Sequence, residues 1–273
     1  FPDRFFEAGI AEANMIGVAA GLSTLGLIPF AHTFAVFATG RVYDQIRVSV
    51  CYQKLNVKIV GTSGGLSDFH DGATHQSVED IALMRVLPNM TVVVPCDSIE
   101  ARVATHGVYK YVGPVYLRLN RNPIPLVWES EEGCKFEIGK AITVRDGSDV
   151  GVVASGYPVG LAIKAAEKLA RKGISVEVLD VHTIKPIDHA SIMKIAERTG
   201  AIVTVEEHSV IGGLRSTVSE IIGENSQAPI KSIGIQDKFG ESALDYSELL
   251  GAYGVTVDAI AAAIERAMEG KKK

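Results

Sequence analysis

Between Glu12 and Arg41 the chain carries no charged side chain. One carboxylate leads that run and one arginine closes it. A carboxylate beside so long an apolar stretch is costly to bury unless it has a partner. Two readings follow from the pattern alone. In one, the run is a buried helix and strand with Glu12 at the solvated edge. In the other, Glu12 is held in an apolar wall where it exchanges a proton with a bound ring.

An uncharged stretch beyond about 20 residues is also long enough to span a bilayer. Gly21, Gly26 and Pro29 argue against that, as do Asn14, Ser23, Thr24, His32 and Thr33 scattered through the run. Gly26-Leu-Ile-Pro29 breaks it in two. Asn14 to Leu25 reads as a packed helix and Leu27 to Phe34 as a buried strand. No cleavable signal pattern opens the chain, so the run is expected to form the core of a soluble, cytoplasmic protein. The chain starts Phe1-Pro2 without Met, and residues are expected to precede it.

A length of 273 residues accommodates two domains. A net charge of −5 gives no basic footprint for nucleic acid. Cys51, Cys96 and Cys134 are far apart and form no C-x-x-C, which argues against a disulfide framework or a zinc ribbon. The Lys271-Lys272-Lys273 tail reads as a solvated end.

Along the chain, helix Arg41 to Leu55 is followed by the β-branched run Val57 to Val60. A polar, Gly-rich loop, Ser63 to Gln76, comes next. Ser77 is expected to cap a helix over Val78 to Leu87, with Asp80 as its N3 acid. Strand Thr91 to Val94, helix Ser98 to Val112 and strand Val115 to Leu119 complete the first alternation. Asn120 to Gly139, with Pro123, Pro125 and several acids, breaks the rhythm and marks a domain boundary. A second alternation follows: strands at Val150 to Ala154, Ser175 to Val181, Ala201 to Glu206 and Ile230 to Ile235. Helices are expected at Val159 to Arg171, Ala190 to Arg198, Gly212 to Gly223 and Thr256 to Met268. The pattern predicts an α/β protein of two consecutive three-layer domains, each with a mostly parallel sheet covered by helices.

Ligands of open α/β sheets bind beyond the carboxyl ends of strands, where the Ser63 to Gln76 loop is expected. Its Asp68, His70, Asp71 and His75 suit a metal site, a set of surface turns, or a substrate site in which Asp71 and His75 orient or protonate hydroxyl and carbonyl groups. Arg118 and Arg121 flank a strand end and suit either a phosphate or an acid partner. Ser155-Gly-Tyr-Pro-Val-Gly160 reads mainly as a tight turn. Glu206-Glu-His-Ser-Val-Ile-Gly-Gly213 reads as an interface or helix-entry loop.

Several segments together carry a family resemblance. Phe5-Phe-Glu-Ala-Gly-Ile-Ala-Glu-Ala-Asn-Met15, Thr33-Phe-Ala-Val-Phe-Ala-Thr39, Tyr43-Asp-Gln-Ile-Arg47, Asp71-Gly-Ala-Thr-His-Gln76, Leu87-Pro-Asn-Met90 and Pro95-Cys-Asp97 resemble the pyrimidine-binding domain of transketolases. The remainder is similar to the C-terminal domain of that family. The resemblance covers nearly the whole chain and is to the C-terminal subunit of a split transketolase. It implies a pyrimidine-binding domain over 1–122 lacking its first strand, a linker over 123–139 and a C-terminal domain over 140–273.

The resemblance also implies roles. Glu12 would hydrogen-bond the aminopyrimidine of thiamine diphosphate and share a proton with it, favouring the imino tautomer that deprotonates the thiazolium. Phe37 would stack on that ring, with Phe34 as a second wall. Asp71 and His75 would contact donor hydroxyls, and Arg121 the sugar phosphate. Glu12, Asp71 and His75 are the candidate catalytic residues. No metal ligand is expected on this chain. It has no Gly-Asp-Gly signature, so the diphosphate, with Mg²⁺ or Ca²⁺, would be held by an N-terminal partner subunit in an α2β2 heterotetramer. Many relatives carry His where this chain has Ser63, and Gly-Glu-Asp where it has Phe69-His70-Asp71, so Ser63 and His70 are further substrate-side candidates. The implied reaction is ketol transfer from a ketose phosphate to an aldose phosphate in the pentose phosphate pathway. The β subunit of a 2-oxoacid dehydrogenase and a degenerate, non-catalytic stabilising subunit are the rival readings.

Overall fold

The computed structural model describes residues 1–271; Lys272 and Lys273, part of the expected solvated tail, lie outside the described residues. The uncharged run folds into helix α1 (Glu12–Thr24), strand β1 (Phe30–Phe34) and the short helix α2 (Ala35–Thr39). The Arg41 to Leu55 segment forms α3 (Tyr43–Gln45), which runs directly into a π-helical stretch, Ile46–Tyr52. Strands β2 (Lys58–Thr62), β3 (Thr91–Val93) and β4 (Val115–Arg118) alternate with α4 (Asp80–Val86) and α5 (Ser98–Lys110). β1, β2, β4 and β3 lie side by side and parallel. β2, β3 and β4 are almost wholly buried, as expected of parallel strands covered on both faces.

The second sheet holds β5 (Ile142–Arg145), β6 (Val150–Ala154), β7 (Val176–Asp180), β9 (Ile202–Ser209) and β10 (Ile230–Ile235), in the order β10-β9-β6-β7-β5. Of these strands only β5 runs antiparallel, at the edge beside β7. Helices α6 (Pro158–Ala170), α7 (His189–Thr199), α8 (Leu214–Asn225), α9 (Tyr246–Ala252) and α10 (Val257–Gly270) accompany this sheet. The Tyr246–Gly270 stretch has the length and composition of a membrane span. Gly254, at φ 71°, breaks it into α9 and α10.

One strand crosses between the halves. β8 (Thr183–Lys185) leaves the second half of the chain and pairs antiparallel with β3, as the fifth strand of the first sheet. A single apolar core therefore runs from Ile59 and Met84 through Ile184 to Val153 and Leu214.

Helix α4 shows how far the halves depend on each other. Ser77 does not cap it, contrary to expectation: its hydroxyl is buried without a partner, and its backbone bonds Gly65 instead. The Ala82 N–H in the first turn donates to Nε2 of His208, on β9, at 3.3 Å. At the other end, Lys185 on β8 donates to the carbonyls of Arg85 (2.8 Å) and Leu87 (2.5 Å). The second half of the chain thus satisfies groups at both ends of α4 that no intrahelical bond can reach. Nor is Asp80 a capping acid. It is fully buried and accepts from Arg118 Nε (2.7 Å) and from the Tyr116 hydroxyl (2.6 Å).

Burial acts against the Asp80 charge, but the Arg118 guanidinium outweighs it and holds the carboxyl below its usual range. Removing one partner of such a pair leaves the other charged and unpaired in the core, at a cost of about 3–5 kcal/mol. Asp80→Asn is expected to lower the urea-unfolding free energy by about that much, while Asp44→Asn, at an exposed ion pair, changes it by less than about 1 kcal/mol.

Candidate functional site

Two short elements build the site wall. α1 opens at Glu12, where unsatisfied N–H groups favour a negative charge, and the β1–α2 junction carries Phe34 and Phe37. Glu12 is 8% exposed. Its Oε2 accepts from Arg41 Nη1 at 3.0 Å. The same guanidinium lies over the Phe37 ring, with Cζ 4.1 Å from the centroid. Phe34 and Phe37 are stacked, with centroids 6.0 Å apart and planes 12° from parallel. His75 stands edge-on to both, at 6.1 Å and 5.4 Å. Arg121 reaches the far side of Phe34, with Cζ 5.8 Å from that ring, and binds buried Asp68 at 2.8 Å. Glu12, Phe34, Phe37, His75 and Arg121 thus form one continuous surface, although Glu12 and Arg121 lie far apart in sequence.

The remaining candidates lie elsewhere on the same loop. His70 and Asp71 are exposed, with His70 against Phe69 at 4.1 Å between ring centroids. Ser63 is buried, takes φ 55° at the end of β2, and its hydroxyl has no partner. Asp68 is committed to Arg121, and Arg118 to Asp80. Two participants are not among the candidate site residues read from the sequence. One is Arg41, which closes the uncharged run. The other is Glu207, in the segment read as an interface or helix-entry loop.

The loop is held in shape from the second half of the chain. Glu207 Oε1 accepts from Leu66 N at 2.7 Å, and Oε2 from the Tyr246 hydroxyl at 2.7 Å. Arg118 Nη2 donates to Ser77 O and to Glu207 O. Gln76 Nε2 donates to Asp68 O and Glu241 O, and Ala243 N to Phe69 O. Gly65 sits at φ 67°, and a Cβ there would lie 2.5 Å from Glu207 Oε1, so only glycine fits. The neighbouring Glu206 takes the Leu214 and Arg215 N–H groups at the start of α8.

Known proteins share this arrangement. The model of the transketolase pyrimidine-binding domain matches residues 1–125, and that of the transketolase C-terminal domain matches 139–260. The chain belongs to the transketolase family. Its two domains are those of the C-terminal subunit of split transketolases, and the family implies dependence on thiamine diphosphate. It is 46% identical over 271 residues to the 6-deoxy-6-sulfo-D-fructose transketolase subunit of Clostridium sp. strain MSTE9, covering 99% of this chain and 83% of that protein. It is 43% identical over 237 residues to an apulose-4-phosphate transketolase subunit of Phocaeicola vulgatus, covering 87% and 75% respectively. A solved split-gene transketolase, in an inactive β4 tetramer, superposes with a TM-score of 0.90 at 47% identity, over 98% of this chain and 85% of that one. These relatives do not favour the 2-oxoacid dehydrogenase reading.

Burial pushes the Glu207 carboxyl up to about 7, against the pull of Arg118. A raised folded-state pKa means that the folded chain keeps a proton which the unfolded chain releases near 4.5. Relative to Glu207→Gln, the wild-type protein is therefore expected to lose stability as pH rises from about 4.5 to 7, by at most about 3 kcal/mol, and to level off above that. Urea unfolding of both proteins across that window measures it; parallel pH profiles would contradict it.

Proposed function

We propose that this chain supplies the ring-binding wall of a two-chain, thiamine diphosphate-dependent transketolase that moves a two-carbon ketol unit between sugar phosphates. One observation carries the reading. The Arg41 guanidinium is flat, donates an N–H to Glu12, and lies over the face of Phe37. An aminopyrimidine makes the same two demands, so Glu12 and Phe37 fit that ring. The Arg41 side chain is 48% exposed, so it can swing into solvent to give up the place.

When bound, thiamine diphosphate supplies the carbanion chemistry, which no side chain here provides. Glu12 would hydrogen-bond the aminopyrimidine through its carboxylate and exchange a proton with it. Phe37 would stack on the ring, with Phe34 as a second wall. His75, edge-on to both rings, orients a donor hydroxyl together with Asp71. Arg121 would contact the sugar phosphate, and His70 is a further substrate-side candidate on the same loop. Ser63, buried behind the loop, affects donor preference through the space that it leaves where a larger side chain would protrude. The sulfofructose and apulose phosphate names of two relatives support a family whose donors differ, so the donor assigned here is the class of ketose phosphates.

An N-terminal subunit is assigned the diphosphate and its Mg²⁺ or Ca²⁺. The outer face of α1 supports such a partner. Ala13, Asn14, Gly17, Val18 and Gly21 are exposed on it, and a Cβ placed on Gly17 or Gly21 meets nothing within 4 Å. Phe5, Phe6, Ile10, Leu25, Leu27 and Phe30 are exposed nearby in sequence. Small side chains and unscreened apolar groups suit a close, obligate interface of more than about 2,000 Å², in an α2β2 assembly around a two-fold axis. The inactive state of the related β4 tetramer agrees with a need for the second chain. Three unpaired, buried cysteines suit a reducing cytoplasm.

The test is a ketol-transfer assay on this chain reconstituted with an N-terminal subunit, thiamine diphosphate and Mg²⁺. Turnover is expected in the complex, and Glu12→Gln should reduce it by roughly 10²–10⁴ while the complex still assembles. Phe37→Ala should raise the cofactor concentration needed for half-maximal rate more than Phe37→Tyr does. Full activity in Glu12→Gln would remove the assignment of Glu12. Pyruvate decarboxylation with an artificial electron acceptor, in place of ketol transfer, would return the chain to the dehydrogenase reading.

A further inference from the structure

A second group of chemically able side chains lies away from the wall, at the junction between the two sheets. Cys96 follows β3, Glu100 sits in the first turn of α5, and Asp180 ends β7. One donor atom from each lies within 4.8 Å of the other two, and all three residues are buried. The Cys134 thiol, from the segment connecting the domains, approaches Glu100 Oε1 at 4.0 Å and is also buried. Three mutually close donors, with the Cys134 thiol beside one of them, therefore come together from three parts of the chain: the Cys96–Glu100 stretch, the connecting segment and the end of β7.

The protein supplies few hydrogen-bond donors to these acids. Neither oxygen of fully buried Asp180 accepts a hydrogen bond from an N–H group or a hydroxyl. Glu100 accepts one N–H, from Cys96, at 2.7 Å. The adjacent Asp97 is already committed to the N–H groups of Glu100, Val127 and Trp128. Among the described residues, no Lys, Arg or His forms an ion pair with Asp97, Glu100 or Asp180. Burial, reinforced by the neighbouring acids, pushes the carboxyls of Asp180 and Glu100 and the thiols of Cys96 and Cys134 toward their protonated forms. Without a metal, Asp180 has only a proton shared with Glu100 and the Cys96 thiol to bond. A bound cation would satisfy both acids and recruit the thiols.

We infer that Cys96, Glu100 and Asp180, with Cys134 beside them, form a structural zinc site. The thiols select a borderline-soft ion over Mg²⁺ or Ca²⁺, which take oxygen donors. Tetrahedral Zn²⁺ bonds sulfur at about 2.3 Å and oxygen at about 2.0–2.2 Å, which places its donors roughly 3.5 Å apart. The donors of Cys96, Glu100 and Asp180, already within 4.8 Å of one another, need only small side-chain shifts to reach that spacing, and Cys134 would close on them from its contact with Glu100. Two thiols and two carboxylates fill the shell, so no position remains for a substrate, and the site is of the closed, structural kind. Its ligands come from the β3–α5 connection, the first turn of α5, the connecting segment and the end of β7, so the ion would tie the two halves of the chain together. Binding displaces the thiol and carboxyl protons into solvent.

The test uses the full chain, stripped with a chelator and then supplied with ZnCl₂, with MgCl₂ as the comparison ion. One zinc per chain is expected to survive desalting and to raise Tm, whereas Mg²⁺ does neither. Asp180→Asn and Cys96→Ser should each weaken zinc binding at least about tenfold, since even outer-shell changes cost that much. If Asp180→Asn fails to fold, Cys96→Ser and Cys134→Ala give the same reading. No zinc uptake at micromolar concentration would overturn the proposal. So would uptake that these variants leave unchanged, because the ion would then sit on surface groups. An Asp180→Asn protein that is stabilised and still binds zinc normally would identify the pair as a shared-proton contact and overturn it as well.

Discussion

A buried guanidinium organises this molecule. Arg118 ends β4 with its charge in the core, and its five donors have to be met there. Asp80 on α4 takes one, Ser77 O in the loop another, and Glu207 O on β9 a third. The side chain therefore fixes a helix, a loop and the second domain relative to one strand. The unpaired alternative costs several kcal/mol, so these parts are bound to keep their mutual positions. Glu207, Tyr246 and Gln76 continue the network outward to the loop that bears His75. The second domain thus acts at the site through the loop, which it holds beside the Phe34–Phe37 wall.

The wall solves its own charge problem in a similar way. A lone Glu12 would be expensive at the head of an apolar helix. Arg41 relieves it while covering the face of Phe37. Both contacts are of kinds that a flat, nitrogen-bearing ring also makes, so a ring that took the place of Arg41 would keep the carboxylate paired. The outer side of α1 is exposed among the described residues, and its small residues leave a shallow face there. On the function proposed above, that face is where a second chain would complete the cleft.

Much of this was legible in the sequence. The uncharged run marked α1 and β1, because a stretch without charge has few places to go but inside. The β-branched runs at Val57 to Val60 and Val150 to Ala154 located β2 and β6 to within about two residues. The Asp71-Gly-Ala-Thr-His-Gln76 segment led to His75 beside the aromatic wall. The illegible parts depend on long-range contact. β8 is only three residues long and pairs outside its own domain. β5 is short and half-buried. Ser77 and Asp80 have the spacing of a helix cap, but tertiary partners took both: Gly65 the Ser77 backbone, and Arg118 the Asp80 carboxylate. Arg41 ends the uncharged run, but nothing local shows that it pairs with Glu12, and no local pattern sets Glu207 apart from Glu206. Their importance comes from residues distant in sequence.

The central claim is that the chain holds one wall of a divided cofactor site and needs a second chain to grip the diphosphate. Several negative charges on that group require a cation and its ligands, and the wall offers only the ring contacts of Glu12, Phe34 and Phe37. Calorimetric titration of thiamine diphosphate with Mg²⁺ tests this most directly, on the chain alone and on the chain combined with an N-terminal transketolase subunit. The account predicts no saturable heat at micromolar cofactor for the chain alone, and clear binding for the combination. Micromolar binding by this chain with no other polypeptide present would contradict it.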